Sequence, residues 1–444
     1  MKEIKPSIST VSSFIGIPEY KDDVDYRLTK NHLSVPCEGG TLLYNTLTGA
    51  LFLLEENETI EDYFSEFVKE GFYIPVMSDE QKLADDVLNV AKVIQTKKKV
   101  KDAFTILTTT DCNARCFYCY EMGRSRIPMS ETTAADVAEY IIKSCEGKKV
   151  SLHWFGGEPL YNKAPIDIIT GTLREKGIPF HSRMTSNGYY LDEETCRTAK
   201  EKWALDWVQI TLDGTKERYQ KAKAYIEKDP DAFERVLSNI KHALEEGIYV
   251  AVRLNVDHEN VKDMHKLVDL LSEEFKGYSN FHVYAALLHQ FEGKIHSFES
   301  EVQELEEYEE LLERIDEYGI GETSYLDKEL KITMCMADSD RSEVILPDGR
   351  IGKCEHFTES ELVGSIYSDD WDEEMLQAWK ELSPKKDECG DCPVYPFCRR
   401  LVKCVYTENR CRPSYRMLQE HILMKKMISE YKRYKEKGDG KDEA

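Results

Sequence analysis

Three closely spaced cysteines are the residues best suited to chemistry. The run TTTDCNARCFYCYE places Cys112, Cys116 and Cys119 in a C-x3-C-x2-C pattern directly after an apolar segment. Three thiolates at this spacing can bind three corners of an iron–sulfur cube, whereas a simple electron carrier supplies a fourth cysteine. The remaining iron would be open to a ligand that is not protein. A zinc site completed by a distant residue is the alternative that the spacing leaves open.

A second group of cysteines follows late in the chain. Only Cys37, Cys145 and Cys196 stand apart from the two groups, and apolar neighbours predict core positions for Cys145 and Cys196. Disulfides are rare in a reducing cytosol, so the clustering of the others favours metal binding. The second group consists of Cys335, Cys354, Cys389, Cys392, Cys398, Cys404 and Cys411.

Length and charge narrow the classes of function. The chain has 444 residues, which is long enough for two or three domains. It carries 59 Lys and Arg against 83 Asp and Glu, and the net charge of −24 argues against non-specific binding of nucleic acid or an anionic membrane. No run of about 18 apolar residues is present, so no membrane span is expected. The opening MKEIKPSIST lacks the apolar core of a secretory signal, and we expect a cytoplasmic protein.

The middle of the chain alternates between apolar strands and amphipathic helices. Such alternation predicts βαβ units and a parallel sheet. Six strands are too few for a closed eight-stranded barrel, so the predicted fold class is α/β, a partial (β/α)6 TIM-type barrel. Sites in barrels lie at the carboxyl ends of the strands. The candidate strands are 104–110, 150–155, 180–186, 207–212, 249–256 and 281–287.

The flanking segments differ in composition. The first hundred residues combine short strands, a helix that ends at Gly71 and a helical linker, which is typical of a small separate domain. A Glu-rich helical bridge follows the barrel, and the cysteine-rich segment after it has little periodicity. A final amphipathic helix ends in a charged tail. The predicted domains are 1–100, 101–300, 301–334, 335–412 and 413–444.

Four short motifs accompany the first cysteine group, in order, on successive candidate strands. Each motif alone is weak, but the ordered series is specific. Together with the cysteine pattern, in which Tyr118 precedes the last cysteine, it resembles the radical S-adenosylmethionine (radical SAM) enzymes over about residues 104–290. The motifs are FGGEP (155–159), TSNG (185–188), TLDG (211–214) and RLN (253–255).

The resemblance implies a [4Fe–4S] cluster on Cys112, Cys116 and Cys119, with SAM chelated to the open iron. One electron from such a cluster cleaves SAM to a 5′-deoxyadenosyl radical, which abstracts a hydrogen atom from the substrate. The SAM contacts that the resemblance implies are Tyr118, Gly156, Gly157, Glu158, Ser186, Asn187, Thr211, Asp213 and Asn255.

One position departs from the family pattern. Many relatives place an arginine shortly after the TLDG-like motif, where it meets the SAM carboxylate. In this chain the corresponding stretch holds Arg218, Lys221 and Lys223. Which of these three residues meets the SAM carboxylate is open at this point.

The second cysteine group resembles the SPASM extension of peptide-modifying radical SAM enzymes, which carries two auxiliary clusters. Three [4Fe–4S] clusters are therefore expected in all. Three cysteines for the nearer cluster leave one iron that can bind a substrate thiolate, unless Cys37 or another side chain completes the site. The spacing from Cys398 to Cys404 is longer than usual. The implied ligands are Cys335, Cys354 and Cys404 for the nearer cluster and Cys389, Cys392, Cys398 and Cys411 for the distal one.

Glu355 directly follows one of these cysteines. In sulfatase-maturing relatives an acidic residue at this position deprotonates the substrate, so the resemblance makes Glu355 a candidate general base. A solvated loop glutamate is the alternative.

The N-terminal segment resembles, weakly, the small winged-helix-like domains that capture the leader of a ribosomally made precursor peptide as an added strand. A structural cap is the alternative. The implied function is a thioether between a Cys sulfur and a carbon of the core peptide, with an electron donor such as flavodoxin or ferredoxin. Other readings are formylglycine formation in a sulfatase, a carbon–carbon crosslink, epimerisation, or a non-enzymatic iron–sulfur or zinc scaffold.

Overall fold

The chain divides into two compact units. One comprises Met1–Lys98, Thr323–Met334 and Leu382–Ala444, and the other comprises Lys99–Glu322 and Cys335–Glu381. The predicted cysteine-rich segment 335–412 is thus divided between them. The computed structural model describes residues 1–8, 20–95, 100–289, 304–327, 335–356, 359–384, 386–392, 394–395, 398, 400–407 and 411–439.

The second unit is built on six parallel strands, which confirms the predicted partial barrel. They lie side by side in the order β12-β11-β10-β9-β8-β7. The strands are β7 (Ala103–Thr109), β8 (Val150–Gly156), β9 (Phe180–Ser186), β10 (Leu205–Leu212), β11 (Tyr249–Val256) and β12 (Phe281–Leu287).

Helices follow the strands on the outside of the sheet. Strand β10 shows why, because Val208, Ile210 and Leu212 are buried while the residues between them are only partly covered. Successive side chains point to opposite faces, so one face meets the helices and the other lines the barrel interior. The helices are α3 (Glu131–Cys145), α4 (Ala164–Glu175), α5 (Glu193–Glu201), α6 (Lys216–Lys223), α7 (Ala232–Glu245) and α8 (Val261–Phe275).

Three short strands extend this sheet beyond β7. Strand β13 (Ser342–Ile345) pairs in parallel with β7, and β14 (Arg350–Gly352) and β15 (Gly364–Ser365) continue the sheet antiparallel. They were not predicted, because strands of two to four residues show no clear alternation in the sequence.

Two further helices belong to this unit. Helix α9 (Leu305–Glu317) occupies part of the predicted bridge and packs on α8, where Arg314 pairs with Asp269 at 2.7 Å. The short helix α10 (Glu373–Ala378) follows β15.

The first unit holds a four-stranded antiparallel sheet in the order β1-β5-β4-β3 and a two-stranded β2-β6 pair. The strands are β1 (Lys2–Lys5), β2 (Tyr26–Leu28), β3 (His32–Cys37), β4 (Gly40–Asn45), β5 (Leu51–Glu55) and β6 (Tyr73–Pro75). The helices are α1 (Phe64–Lys69), α2 (Glu80–Gln95) and α11 (Pro413–Asp439).

Helix α11 covers one face of this antiparallel sheet. Leu42 and Tyr44 of β4 pack with Met427 and Tyr431 of the helix. The Tyr431 hydroxyl donates to the carbonyl oxygen of Glu38 at 3.0 Å. The residues that alternate with these on β4 and β5 pack on the other face, against α1.

No helix among the described residues is long and apolar enough to cross a bilayer.

Candidate cluster and cofactor site

The three-cysteine loop begins where β7 ends. The Thr109 hydroxyl accepts a hydrogen bond from the amide of Asp111 at 2.9 Å, and the Asp111 carboxylate accepts one from the amide of Cys112 at 2.8 Å. The amide of Ala114 points at the Cys112 sulfur at 3.3 Å. Backbone amides that point at thiolates are a feature of iron–sulfur sites, where they tune the cluster potential.

Burial raises the pKa of all three thiols. For Cys119 it raises the pKa to about 11, with the nearby Cys116 adding to the effect. The pKa of Cys112 and Cys116 is also raised by burial, and the Lys223 ammonium partly offsets this for Cys116. A coordinated metal deprotonates a thiol outright, so half-buried thiols with raised pKa values suit metal ligation better than free nucleophilic chemistry.

Two glycines let the end of β8 lie against the cysteine loop. A Cβ on Gly156 would stand 2.1 Å from the carbonyl oxygen of Thr109, and one on Gly157 would stand 2.2 Å from that of Asp111. The glycines therefore serve a close approach of two backbones. Backbone hydrogen bonds support the same contact. The amide of Gly157 donates to the carbonyl oxygen of Thr109, and the amide of Glu158 donates to that of Asp111.

The Glu158 side chain is fully buried and ties two strand ends together. Its carboxylate accepts hydrogen bonds from the Ser186 hydroxyl at 2.8 Å and from the amides of Asn187 at 2.7 Å and Leu160 at 3.1 Å. Burial raises the pKa of Glu158, and these donors oppose the rise.

Asn187 extends from the end of β9 to the cysteine loop. Its amide nitrogen donates to the Asn113 side-chain oxygen at 2.7 Å and lies 3.8 Å from the Cys112 sulfur. The side chains of the β9 end and of the cluster loop therefore meet at Cys112.

A buried polar network occupies the ends of β10 and β11. The Lys223 ammonium lies 3.0 Å from the Asp213 carboxylate and 3.3 Å from the Tyr118 hydroxyl. The Asn255 amide donates to the other Asp213 oxygen at 3.0 Å and accepts from Arg253 at 2.9 Å. Burial lowers the pKa of Lys223, but Asp213, Cys116 and Tyr219 together raise it by more, and the net shift is upward.

Only one of the three basic residues after TLDG enters this network. Lys223 is 2% exposed, whereas Lys221 is exposed. Arg218 instead pairs with Asp257 at 3.3 Å and Glu259 at 3.4 Å. Thr211, also named by the motif, is half-buried on β10.

Glu355 lies beside the residues that follow the third cysteine. Its carbonyl oxygen accepts a hydrogen bond from Arg124 at 3.2 Å, and the ring of the next residue, His356, lies 3.8 Å from that of Tyr120. Burial raises the pKa of Glu355, and the nearby Arg183 lowers it. Glu355 is half-buried beside these residues.

The remaining predicted ligands fall in different units. Cys335 and Cys354 lie in the second unit, and the other five lie in the first. The sulfurs of Cys335 and Cys354 face the amides of Ala337 and His356, each at 3.4 Å. Within the residues that the structure describes, no three His, Cys, Asp or Glu side chains converge to hold a single metal ion.

The barrel interior contains polar residues that the motifs did not identify. The His153 ring bonds to the Thr185 hydroxyl at 3.0 Å, and burial lowers the pKa of His153 to about 3. The Tyr284 hydroxyl donates to Gln209 at 2.5 Å across β11. Polar residues at alternate positions of otherwise apolar strands were the signal in the sequence.

Comparison with known proteins identifies the central domain. Residues 106–271 match the model of the radical SAM superfamily. The chain is 29% identical over 184 residues to Fe-coproporphyrin III synthase of Methanosarcina barkeri, which is 41% of this chain and 44% of that protein. It is 31% identical over 171 residues to a probable GTP 3′,8-cyclase of Saccharolobus islandicus, which is 37% of this chain and 51% of that protein. The chain thus spans about half the length of the curated relatives it matches.

Solved structures match over more of the chain. anSMEcpe with bound AdoMet and Cp18Cys peptide has a TM-score of 0.54 at 14% identity, over 77% of this chain and 99% of that one. Streptococcus suis SuiB bound to S-adenosylmethionine has a TM-score of 0.53 at 16% identity, over 90% and 98%. SuiB bound to precursor peptide SuiA has a TM-score of 0.52 at 15% identity, over 88% and 98%. These likenesses show the fold, and the family match makes residues 106–271 a radical SAM domain.

Proposed function

We propose that this chain is a cytoplasmic radical SAM enzyme that installs a thioether in a ribosomally synthesised precursor peptide. One observation carries the proposal. The ends of β8, β9, β10 and β11 bring polar side chains around the three-cysteine loop, and those side chains are hydrogen-bonded to one another or to the loop. A zinc scaffold has no need of such a ring of polar side chains beside the cysteine loop.

The cysteine loop fits a cluster in its donor set. It offers three half-buried thiols, a backbone amide directed at the Cys112 sulfur, and the buried Lys223 ammonium close to Cys116. When bound, a [4Fe–4S] cluster on Cys112, Cys116 and Cys119 and the SAM beside it supply a 5′-deoxyadenosyl radical that takes a hydrogen atom from the substrate. The surrounding residues orient the cofactor and exclude water.

Lys223 takes the place of the family's arginine in this proposal. It is buried beside Asp213 and Tyr118, and its ammonium is a point charge suited to a carboxylate. Asp213 and Asn255 fix the position of Lys223 and of the end of β11. Glu158 and Asn187 fix the end of β9 in the same way. The SAM carboxylate therefore binds Lys223, and Arg218 and Lys221 contribute nothing to SAM binding.

A peptide substrate is supported by the fold neighbours and by the first unit. The solved structures of anSMEcpe and SuiB include complexes with a peptide. In the first unit, β3 ends the described four-stranded sheet, with β4 as its one partner there. An extended leader segment can add to such an edge by main-chain hydrogen bonds. The acidic chain favours a leader with basic residues.

Formylglycine formation is the second candidate, and Glu355 is the observation that favours it. A half-buried carboxylate with a raised pKa is suited to accept a proton from a substrate hydroxyl or thiol. The leader-binding edge of the first unit favours a precursor peptide over a folded sulfatase. Two peptides distinguish the candidates: a Cys-containing precursor should lose two hydrogens and resist thiol alkylation, whereas a sulfatase-derived Cys or Ser peptide should gain an aldehyde.

Iron analysis tests the cluster count. After anaerobic reconstitution, iron and sulfide per chain should be about twelve each, and about eight in a Cys112/Cys116/Cys119→Ala variant. About four in the wild type would remove the two auxiliary clusters from the proposal. 5′-Deoxyadenosine formed from SAM by the triple variant at the wild-type rate would overturn the proposal itself.

A further inference from the structure

One side chain of β9 brings a positive charge into the barrel. Buried residues of β9 alternate with less covered ones, and Thr185 belongs to the interior face because its hydroxyl bonds to His153 of β8. Arg183 lies two residues earlier on the same face. In the strand register it stands between His153 and Trp207 of β10. Arg183 is also exposed to solvent, so the barrel interior is open to water at this level.

The Arg183 guanidinium is without a protein partner. In the described part of the chain, no hydrogen bond and no ion pair engages it. Arg253, an arginine of β11, differs because its Nε donates to the Asn255 side-chain oxygen at 2.9 Å. A guanidinium offers five N–H donors in a planar fork. All the donors of Arg183 are therefore available to a ligand that enters the barrel.

Two ring nitrogens of the same wall also lack partners. The Nδ1 atoms of His153 and His181 are buried, and neither has a hydrogen bond to another described residue. Buried polar atoms in native proteins are normally paired, so both atoms are suited to a polar ligand or to water. Burial lowers the pKa of His153 to about 3, and the nearby Arg183 adds to the effect. At pH 7 the ring is neutral, and Arg183 is the cation of this wall.

The charges around Arg183 do not block an anion. Glu355 and Asp206 are the carboxylates that act on it, and neither bonds to it. Asp206 is exposed, so water screens its charge. Glu355 also faces Arg124, which in turn pairs with Glu121 at 3.5 Å. Positive and negative charges nearly balance in this group. Because Coulomb energy falls with distance, an anion in contact with Arg183 gains more than it loses to the carboxylates farther away.

We propose that Arg183 binds a carboxylate of the peptide substrate inside the barrel. This inference rests on the proposed function. The guanidinium fork matches the two oxygens of a carboxylate, which gives both affinity and orientation. Arg183 precedes Ser186, the last residue of β9, by three residues, which is about 10 Å along the strand. An extended peptide covers that length in about three residues, so the acidic residue lies within a few positions of the modified carbon.

Chemical modification tests whether Arg183 is accessible and what covers it. Phenylglyoxal, which modifies accessible arginines, is added to the reconstituted enzyme, and modification of Arg183 is measured by peptide mass spectrometry. The probes are three acetylated peptides that contain one Cys. They carry Asp with an amidated end, Asn with an amidated end, or Asn with a free carboxyl end. The Asp peptide should half-protect Arg183 at about a tenfold lower concentration than the amidated Asn peptide. Protection by the free-ended peptide instead would assign the same site to a chain-terminal carboxylate.

Variants connect the site to turnover. The ratio of 5′-deoxyadenosine formation with the Asp peptide to that with the amidated Asn peptide should fall to about one in Arg183→Gln. Arg183→Lys keeps the charge and should keep the direction of the preference. The control Arg197→Gln removes an exposed arginine of α5 that pairs with Glu193, and its ratio should equal that of the wild type.

Two results would overturn the site. One is an Arg183 that phenylglyoxal does not modify in the enzyme without peptide. The other is equal protection by all three peptides, since binding would then not depend on a carboxylate. A wild type that forms no 5′-deoxyadenosine from SAM with dithionite would instead overturn the proposed function. The protection measurement needs no turnover, so the two failures are distinguishable.

Discussion

The close approach of β8 to the cluster loop makes Gly157→Ala a sharp test of the site. A Cβ at Gly157 would stand 2.2 Å from the Asp111 carbonyl oxygen and 3.1 Å from the Cys112 amide nitrogen, and an ordinary contact begins at 3.4 Å. Restoring that contact requires the Asp111–Cys112 peptide to move by about 1 Å. A misplacement of about 1 Å can cost on the order of a hundredfold in rate, and overpacking costs about 1–3 kcal/mol.

The assay is iron content together with SAM cleavage. We expect Gly157→Ala to hold about four fewer irons per chain after reconstitution, because the displaced peptide includes Cys112, a proposed ligand of the first cluster. Gly171→Ala is the matched control, since a Cβ there meets no atom within 4 Å and the residue lies inside α4. It should stabilise the protein by about 0.5–1 kcal/mol and keep its iron. Wild-type iron and activity in Gly157→Ala would refute the reasoning.

Three other changes test other parts of the structure. Lys223→Met should abolish SAM binding in calorimetry. It should also lower the free energy of unfolding measured in urea by about 3–5 kcal/mol, because it leaves the buried Asp213 carboxylate without its cation. The control Lys221→Met should change neither quantity. His153 has a folded pKa of about 3, against an unfolded value of about 6.5, so the unfolded state binds more protons between these values. The wild type should therefore lose about 2 kcal/mol of folding stability through His153 between pH 7 and pH 5, and the His153→Gln variant should lack this loss. Identical profiles of unfolding free energy against pH in the two proteins would contradict this. Met427→Ala should cost about 2–5 kcal/mol in urea through loss of core packing, and a value near that of the exposed control Lys432→Ala would contradict the packing of α11.

The barrel strands were predictable because burial imposes a pattern on them. The run WVQITL alternates between residues that meet the helices and residues that line the interior, and strand β10 spans it. The strand β13 was not predictable. It is only four residues long, and its pairing with β7 joins segments far apart in sequence.

The candidate site was predictable in its motifs but not in its contacts. The motif residues lie at strand ends, because the ends of parallel strands meet at one edge of a sheet. Which of Arg218, Lys221 and Lys223 enters the site depends on the rotational phase of α6. That helix has eight residues and a weak apolar face, so its phase could not be read from the sequence.

Helix α11 can cover the N-terminal sheet only after nearly the whole chain has been synthesised. The Tyr431–Glu38 hydrogen bond joins residues 393 apart in sequence. At about 5–20 residues per second, the ribosome needs about 20–80 s to make the intervening chain. Throughout that time the face formed by Leu42 and Tyr44 has no helix over it, although the strands themselves are complete. The nascent sheet is therefore a candidate client for chaperones, and a fragment that ends before α11 should aggregate when it is expressed alone.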